Sequence, residues 1–572
     1  MDKANTAIPL VVGITGHREI SLETERQIYS TAHAMLIDLK KCYPNTPIRV
    51  LSSLGKGADM VCAEAALDAG AELVVPLPMP VEEYRKDFSG TEIDNFDFLL
   101  KKAAKVFVVP QYEKCEDTGS RGFFYRQAAI NVVSHSHILF ACWDGCENPK
   151  ADGAGTYETV RLMQESPFFK KQDSALDQNS GLILQLVTPR ENETVPTDPF
   201  SLILSDDLVQ ATLDKPILNL KEFDLIERFN RDIVKYEAGI QNDFQKNADY
   251  CMDCATQESL SDEESLMLRV YAAADSIAIY LQRKRLLSLR LFALLGLLFV
   301  LFFLFYDELS APLMLVGYGG LILIAACCTL MFSKKRYHEK YVLYRVLAEA
   351  MRIQLYMDIA NITEFITHIP CWKRTKELRF VNDTCRVMQK NEKMLFDSSC
   401  IRYLENCWIE PQLNYHRDAI AGKGGKHQLN KSMAHILLFA AILIFIVVAI
   451  IEAAFPYIMD IEMTNFFRYV FPFVSDTLTW NALFKILLGF VSATAAFVAN
   501  YYGKLALPEQ MRGSERMYKL YSQANAKLYA VANEGDLQAA KKIIVLLADK
   551  ALEENLDWYA YYADNTPEFI IG

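Results

Sequence analysis

Three short stretches gather residue types that could hold a phosphorylated ligand. The first, "GITGHR", sets Gly13, Thr15, Gly16, His17 and Arg18 at the end of the apolar run "IPLVV". The second, "SSLGKGAD" (Ser52–Asp59), brings Ser53, Gly55, Gly57 and Asp59. The third follows the strand "SHILFACWDG", with its Asp144, and reads "GAGT": Gly153, Gly155 and Thr156. Glycines let a backbone approach a ligand closely, and the free amides that open a helix favour an anion. A guanidinium such as that of Arg18 pairs with phosphate, the glycine amides cradle it, and Asp59 or Asp144 accepts ribose hydroxyls. Each stretch alone is also an ordinary turn, with His17 a helix cap and Arg18 a surface residue. The three together, in sequence order, point to a phosphate-bearing ligand.

The elements that would position them alternate between strand and helix. "IPLVVGIT", "IRVLSS", "AELVVPLPM", "AKVFVVP", "SHILFACWDG" and "LILQLVTP" read as strands. "SLETERQIYSTAHAMLIDLKKC", "ADMVCAEAALDAG" and "TYETVRLMQ" have helical spacing. Short, nearly continuous apolar strands separated by helices predict a parallel sheet covered on both faces. Open sheets of this kind bind ligands at the carboxyl ends of their strands, where the three stretches fall.

The second half of the chain is of another character. Four segments approach the roughly 20 apolar residues that cross a hydrocarbon core of about 30 Å. They are Leu286–Tyr306, Leu309–Phe332, Met433–Ile451 and Leu483–Gly503. Arg283, Lys284, Arg285 and Arg290 precede or enter the first, and Lys334, Lys335 and Arg336 follow the second. Arg417, Lys423, Lys426 and Lys431 precede the third, and Lys504 follows the fourth. The turn after the first span holds only Asp307 and Glu308, so the positive-inside rule places both termini and the region between spans two and three in the cytoplasm. In the fourth span, Ser492, Ala496 and Asn500 recur at four-residue intervals on one face. Small and polar residues there predict a contact with another helix, or the lining or gate of a conduit in an oligomer.

Composition narrows the class. At 572 residues and net charge −12, without a long basic stretch, duplex nucleic acid is a poor partner. The 13 cysteines form no regular framework, and the lone pair Cys251 and Cys254 has no second pair to complete a zinc site. Free thiols of a reducing compartment, no metal and no resident cofactor are expected. The polar start followed by a strand is not a signal peptide. "YHEKYVLYRVLAEAMRIQLYM" and "ERMYKLYSQANAKLYAVAN" add helices on the cytoplasmic side.

The first stretches carry a resemblance over about residues 8–190. This region resembles the SLOG superfamily, named for the DNA-processing Smf/DprA proteins and the LOG nucleotide phosphoribohydrolases. "SSLGKGAD" is similar to its S-G-x-A-x-G-x-D loop, Gly57 and Asp59 matching and Ser53 and Gly55 differing. "GAGT" resembles the phosphate loop of the LOG enzymes, which continues as P-G-G-x-G-T-x-x-E with a catalytic glutamate. Here Ala151 and Asp152 replace Pro-Gly, and Thr159 stands at the glutamate position. Glu158 is one place early, about 100° round a 3.6-residue helix. The departure favours binding over hydrolysis, with no catalytic residue. In the second half, "YRVLAEAMR" (Tyr344–Arg352), "WIEPQLNYH" (Trp408–His416) and "ALEENLDWY" (Ala551–Tyr559) resemble the SLATT class of membrane effectors.

The resemblances imply an α/β, Rossmann-like sheet of SLOG type joined to an all-α membrane domain with four transmembrane helices and cytosolic helices. The expected divisions are a nucleotide-sensing domain at 1–200, a helical linker at 201–285 and a transmembrane hairpin at 286–333. A cytosolic helical region at 334–432, a second hairpin at 433–503 and C-terminal helices at 504–572 complete the chain. The function implied is that of a homo-oligomeric effector in the bacterial inner membrane. It would sense a nucleotide-derived second messenger and form a pore, or disrupt the bilayer, in anti-phage defence. Alternatives are a membrane-tethered nucleotide hydrolase using Glu158 or Asp59, and a nucleotide-regulated channel or transporter.

Overall fold

The computed structural model describes residues 6–111, 120–147, 154–165, 181–191, 195–205, 210–213, 223–309, 312–362, 375–390, 396–454, 457, 479–505 and 507–564. Its contacts divide the chain into two compact units, both discontinuous in sequence. The first takes Met1–Ile277, Arg345–Leu404 and Val531–Leu556; the second takes Ala278–Tyr344, Glu405–Ala530 and Asp557–Gly572.

The first unit is built on eight strands: β1 (Leu10–Gly16), β2 (Ile48–Leu51), β3 (Glu72–Leu77), β4 (Lys105–Val108), β5 (Ile138–Trp143), β6 (Leu182–Val187), β7 (Leu202–Ser205) and β8 (Gln210–Leu213). Their order in the sheet is β4-β3-β2-β1-β5-β6-β7-β8. The first six are parallel, with Val12 of β1 opposite Val50 of β2 on one side and Ile138 of β5 on the other. β7 and β8 run antiparallel, so the sheet is mixed and not wholly parallel as expected. These two strands also lie in the segment expected to be a helical linker. Short four-residue strands at a sheet edge carry too few alternating positions to announce themselves in a sequence.

Five longer helices connect the strands: α1 (Leu22–Cys42), α2 (Ala58–Asp68), α3 (Thr91–Lys102), α4 (Arg121–Ser134) and α5 (Thr156–Glu165). α1 starts at Ser21, whose hydroxyl accepts from the N–H of Thr24 at 3.2 Å, and it buries Ile28, Ala32, Met35, Leu36 and Leu39 along one stripe. α4 has no such stripe. It is buried nearly all round, and a helix of that kind shows no helical period. β1 is buried along all but its last residue, which explains its unbroken apolar run.

A further helix, α6 (Asp224–Cys251), closes the sheet unit through Glu227, which accepts from Asn45 and Thr46, and through Asn230. The Asn230 amide accepts from the N–H of Ile8 and donates to its carbonyl, both at 2.9 Å, serving the backbone where β1 begins. α7 (Asp262–Leu309) is 48 residues long, about 72 Å at 1.5 Å per residue, and holds the first apolar segment in its second half.

The remaining long helices are α8 (Pro312–Lys335), α9 (Tyr337–Ile359), α10 (Lys376–Val387), α11 (Glu410–Ala454), α12 (Trp480–Lys504), α13 (Leu507–Glu534) and α14 (Leu537–Asp564). Four helical stretches of the chain are long and apolar enough to span a membrane; they contain the first, third and fourth expected segments whole and the second from Leu313 onward. Only 6–17% of their most apolar windows is buried, so their apolar surface faces outward and needs lipid or a partner to cover it. Inside the second unit the apolar helices interlock. A methyl on Gly489 would stand 3.0 Å from Leu304, and one on Gly296 would collide with Phe497.

Candidate functional site

The strand order reverses between β1 and β5, and the loops at their carboxyl ends part there. A cavity of about 330 Å³ opens at this point. Of the expected ligand residues, Thr15, Gly16, His17, Arg18, Ser53, Gly55, Asp59, Gly155 and Thr156 line it. Gly153 lies outside the described residues.

Two glycines explain how the loops close on one another. A methyl on Gly16 would stand 2.5 Å from the Cβ of Ala58, so only glycine lets the start of α2 reach the end of β1. Gly57 has φ of +84°, and a side chain there would lie 2.5–2.6 Å from the carbonyls of Arg18 and His17. Ala58 then donates its N–H to the His17 carbonyl at 3.0 Å. Gly57 thus supports the cavity from beneath without lining it. Gly13 is also absent from the lining; its α-carbon faces Ser136 and Val132, and its role is packing.

Asp144 departs from expectation. Its carboxylate is 2.8 Å from Arg190 Nε, accepts from the N–H of Cys146 at 3.0 Å and is largely buried. It is not among the residues that line the cavity, and both its oxygens are engaged by neighbours. The N–H of Asp144 in turn donates to His17 Nε2 at 3.0 Å. His17 thus ties two loops together, its Nε2 also 3.4 Å from the Asp144 carboxylate and 3.3 Å from Arg190 Nε.

Asp59, in the first turn of α2, forms part of the lining. Its carboxylate draws hydrogen bonds from the N–H groups of Gly55 and Gly16, yet Oδ1 is shut off from solvent and finds no hydrogen-bond partner. Burial pushes its pKa up to about 7, against the opposing pull of Arg18 and those two amides. Glu158 also lines the cavity and is buried. The one-residue offset does not carry it away, as the sequence comparison implied; α5 enters so that Glu158 and Thr159 both face the site.

Residues the motifs did not indicate complete the wall. Arg18 lies with its guanidinium carbon 4.7 Å from the centre of the Tyr125 ring, a cation–π contact. Tyr84 stands beside Tyr125, 6.2 Å between centres, and is anchored edge-on against Phe88 and Phe96. Tyr125 reaches Asp87, which Arg121 also grips. Arg190 and Glu191 enter from the end of β6, and Lys56 from the α2 loop. The strand-end rule offered a signal for Tyr84 and Arg190, since "PVEEY" and "PRE" follow two strands directly. Tyr125 sits on α4, which no period reveals.

No family model matches the chain, and no curated protein matches it in sequence. The chemistry of the site therefore rests on its own geometry. Among the described residues no group of three or more His, Cys, Asp or Glu side chains is placed to hold a metal ion. In the second unit, Ser492, Ala496 and Asn500 are all exposed on α12, while Ala482 and Ile486 of the same helix pack against Leu301, Leu304, Phe305 and Met314.

Proposed function

We propose that this chain is a ligand-controlled membrane effector. The sheet unit binds a nucleotide-derived signal, and the four apolar helices respond by opening or breaching a bilayer. One observation carries the reading. A cavity built from glycine loops and helix starts, with two arginines and three tyrosines in its wall, occupies the strand reversal of an open sheet in a chain that also has four membrane-capable helices. Its volume falls at the lower end of the roughly 300–1,000 Å³ of small-molecule sites, suited to one nucleotide unit. The likeness of the first stretches to SLOG loops supports a nucleotide, and that of the later helices to SLATT proteins supports a role in bacterial anti-phage defence. Charge flanking the spans supports an inner-membrane placement with cytoplasmic termini, and the exposed face of Ser492, Ala496 and Asn500 supports homo-oligomers.

Full-length protein in dye-loaded liposomes tests this. A panel of cyclic nucleotides, dinucleotides and ADP-ribose derivatives should contain a compound that triggers release from loaded vesicles and not from vesicles without protein. Tight binding with no change in permeability would overturn the effector reading.

A second reading, nucleotide hydrolysis, is favoured by one observation: two carboxyl groups, Asp59 and Glu158, line the same cavity. It predicts release of free base or phosphate on incubation, independent of the bilayer.

A further inference from the structure

In the second unit one guanidinium lacks a counter-ion. Arg285 lies one residue before the first apolar segment and is half-buried, its Nε shut off from solvent and without a hydrogen-bond partner. Among the described residues no carboxylate lies within ion-pair distance of it. Its guanidinium carbon stands 5.9 Å from the centre of the Tyr341 ring and 5.8 Å from that of Tyr562. Both rings are anchored. Tyr341 accepts from Gln282 at 3.2 Å, and Tyr562 from Gln510 at 2.7 Å. His338 donates to the Tyr562 carbonyl at 2.7 Å, and Trp558 packs against both rings, 5.8 and 4.7 Å between centres. Side chains of α7, α9, α13 and α14 thus fix one cation at the end of a span. Cation–π contacts of this length offset only part of the cost of taking a charge out of water, and an anion would supply the rest.

The surroundings say which anion. α7 carries Arg283, Lys284, Arg285 and Arg290 and no acid between Asp275 and Asp307, and Lys334, Lys335 and Arg336 follow the second apolar segment, in a chain of net charge −12. Phe292 and Phe332, 6.0 Å between ring centres, bring these two helix ends to one level, and Phe332 meets Tyr337 at 6.2 Å. The abundant anion at the border of a bilayer is a lipid phosphate, which a guanidinium grips through paired N–H groups. We propose that Arg285, between Tyr341 and Tyr562, binds the headgroup phosphate of an anionic phospholipid in the leaflet that the positive-inside rule assigns to the cytoplasm. A zwitterionic lipid brings a cation of its own to a place already crowded with them, so the anionic headgroup is selected. The inference rests on the apolar helices spanning a bilayer and is independent of what the sheet unit binds.

Native mass spectrometry of the full-length protein released from detergent, with phosphatidylglycerol and phosphatidylcholine of the same acyl chains offered together, tests it. Phosphatidylglycerol should be retained at least about tenfold over phosphatidylcholine, the scale of a hydrogen bond to a charged group. Arg285→Ala and Arg285→Gln should lose that preference, and Arg285→Lys should keep part of it. Replacing Lys334 and Lys335 together with alanine should leave the retained lipid in place, since exposed cations act only through a screened field. Equal retention of the two lipids, or an unchanged preference in Arg285→Ala, would overturn the proposal. So would displacement of the lipid by glycerol phosphate or inorganic phosphate, which would make the site one for a soluble anion. Should the variants fold poorly, a phosphatidylglycerol with a photoreactive headgroup decides in the wild-type protein. Label on the peptides holding His338, Tyr341 and Tyr562 supports the site, and label confined to other segments overturns it. The wild-type protein should also float with phosphatidylcholine vesicles; failure to do so would remove the membrane reading together with the lipid site.

Discussion

Arg386 donates to the carbonyl of Ser136 at 2.9 Å across 250 residues of sequence. The same guanidinium reaches the carbonyls of Ser134 at 2.7 Å and Val133 at 3.3 Å, so one buried side chain caps the carboxyl end of α4. A cation there meets the negative end of the helix dipole as well as its unpaired carbonyls. The other part of α4 carries Tyr125, Ala128, Ala129 and Val132 into the cavity wall. Arg386 lies on α10, in the chain that joins the second and third apolar helices. Replacing it with alanine withdraws a donor from all three carbonyls, of which Val133 keeps the Ser136 N–H, at about 1–3 kcal/mol for each group left unmet. Arg386→Ala should therefore lower the melting point of the detergent-solubilised protein sharply. Arg386→Lys, which keeps the charge but not the fork, should fall between the two. A melting curve identical to wild type would show that the clamp contributes nothing.

Arg18 is the cavity's available cation, and its stacking on Tyr125 holds it in place. Arg18→Ala should cost about 1.5–3 kcal/mol in binding of a monophosphorylated ligand, the range for hydrogen bonds to charged groups. Tyr125→Phe keeps the ring and should cost far less. Equal affinity for wild type and Arg18→Ala by calorimetry would place the phosphate elsewhere.

Whether the site turns its ligand over is open to direct measurement. A mass-spectrometric time course should recover a bound nucleotide intact. Repeated release of free base, abolished by Glu158→Gln, would make the chain a hydrolase, since Glu158 does line the cavity.

Asp358 gives a pH dependence away from the ligand. It is fully buried, accepts from Gln354 at 2.6 Å and from the Lys390 N–H at 2.9 Å, and burial pushes its pKa up to about 7. A folded-state pKa raised above the unfolded value of about 3.9 means that the fold binds the proton more tightly. The stability it contributes is complete below about pH 4 and is lost as pH rises through 7. Asp358→Asn should thus melt above wild type at pH 8, by an amount on the order of 2–4 kcal/mol. That advantage should shrink as pH falls toward 5. An advantage independent of pH would show that Asp358 ionises normally.

The exposed face of α12 separates packing within a chain from contact between chains. Ser492, Ala496 and Asn500 touch little within their own unit, so Ala496→Leu should leave the melting point of the isolated protein within about 0.5 kcal/mol, as for other exposed positions. In liposomes, ligand should still bind while triggered dye release is lost or becomes constitutive. Gly489→Leu is the contrasting control, because it collides with Leu304 inside the same unit. Unchanged release in correctly inserted Ala496→Leu would rule the face out as a gate.

The core of the sheet was legible in sequence because β1, β2, β3, β5 and β6 are buried along most of their length and so read as apolar runs, whereas β4 leaves Val106 and Val108 exposed. The glycine loops were legible too, since Gly16 and Gly57 answer a local demand, a close approach and a positive φ. What escaped was long-range or featureless. Asn230 bonds the backbone of Ile8 from 222 residues away, and no local pattern announces that. Asp144 read as a ligand acceptor from its type and place; its pairing with Arg190, which follows β6, is a contact no local pattern announces. Tyr125 was hidden because α4 is buried nearly all round and so has no stripe.

The discontinuity of the sheet unit bears on how the protein is made. Its last segment, Val531–Leu556, follows all four apolar helices in the chain, and Asn555 within it bonds the Val346 carbonyl of the middle segment at 3.3 Å. During synthesis the amino-terminal strands emerge first, but the unit to which they belong cannot be completed until the ribosome has passed the final span. All four apolar helices thus leave the ribosome before the sheet unit is whole, and a chain truncated before Val531 would lack part of that unit.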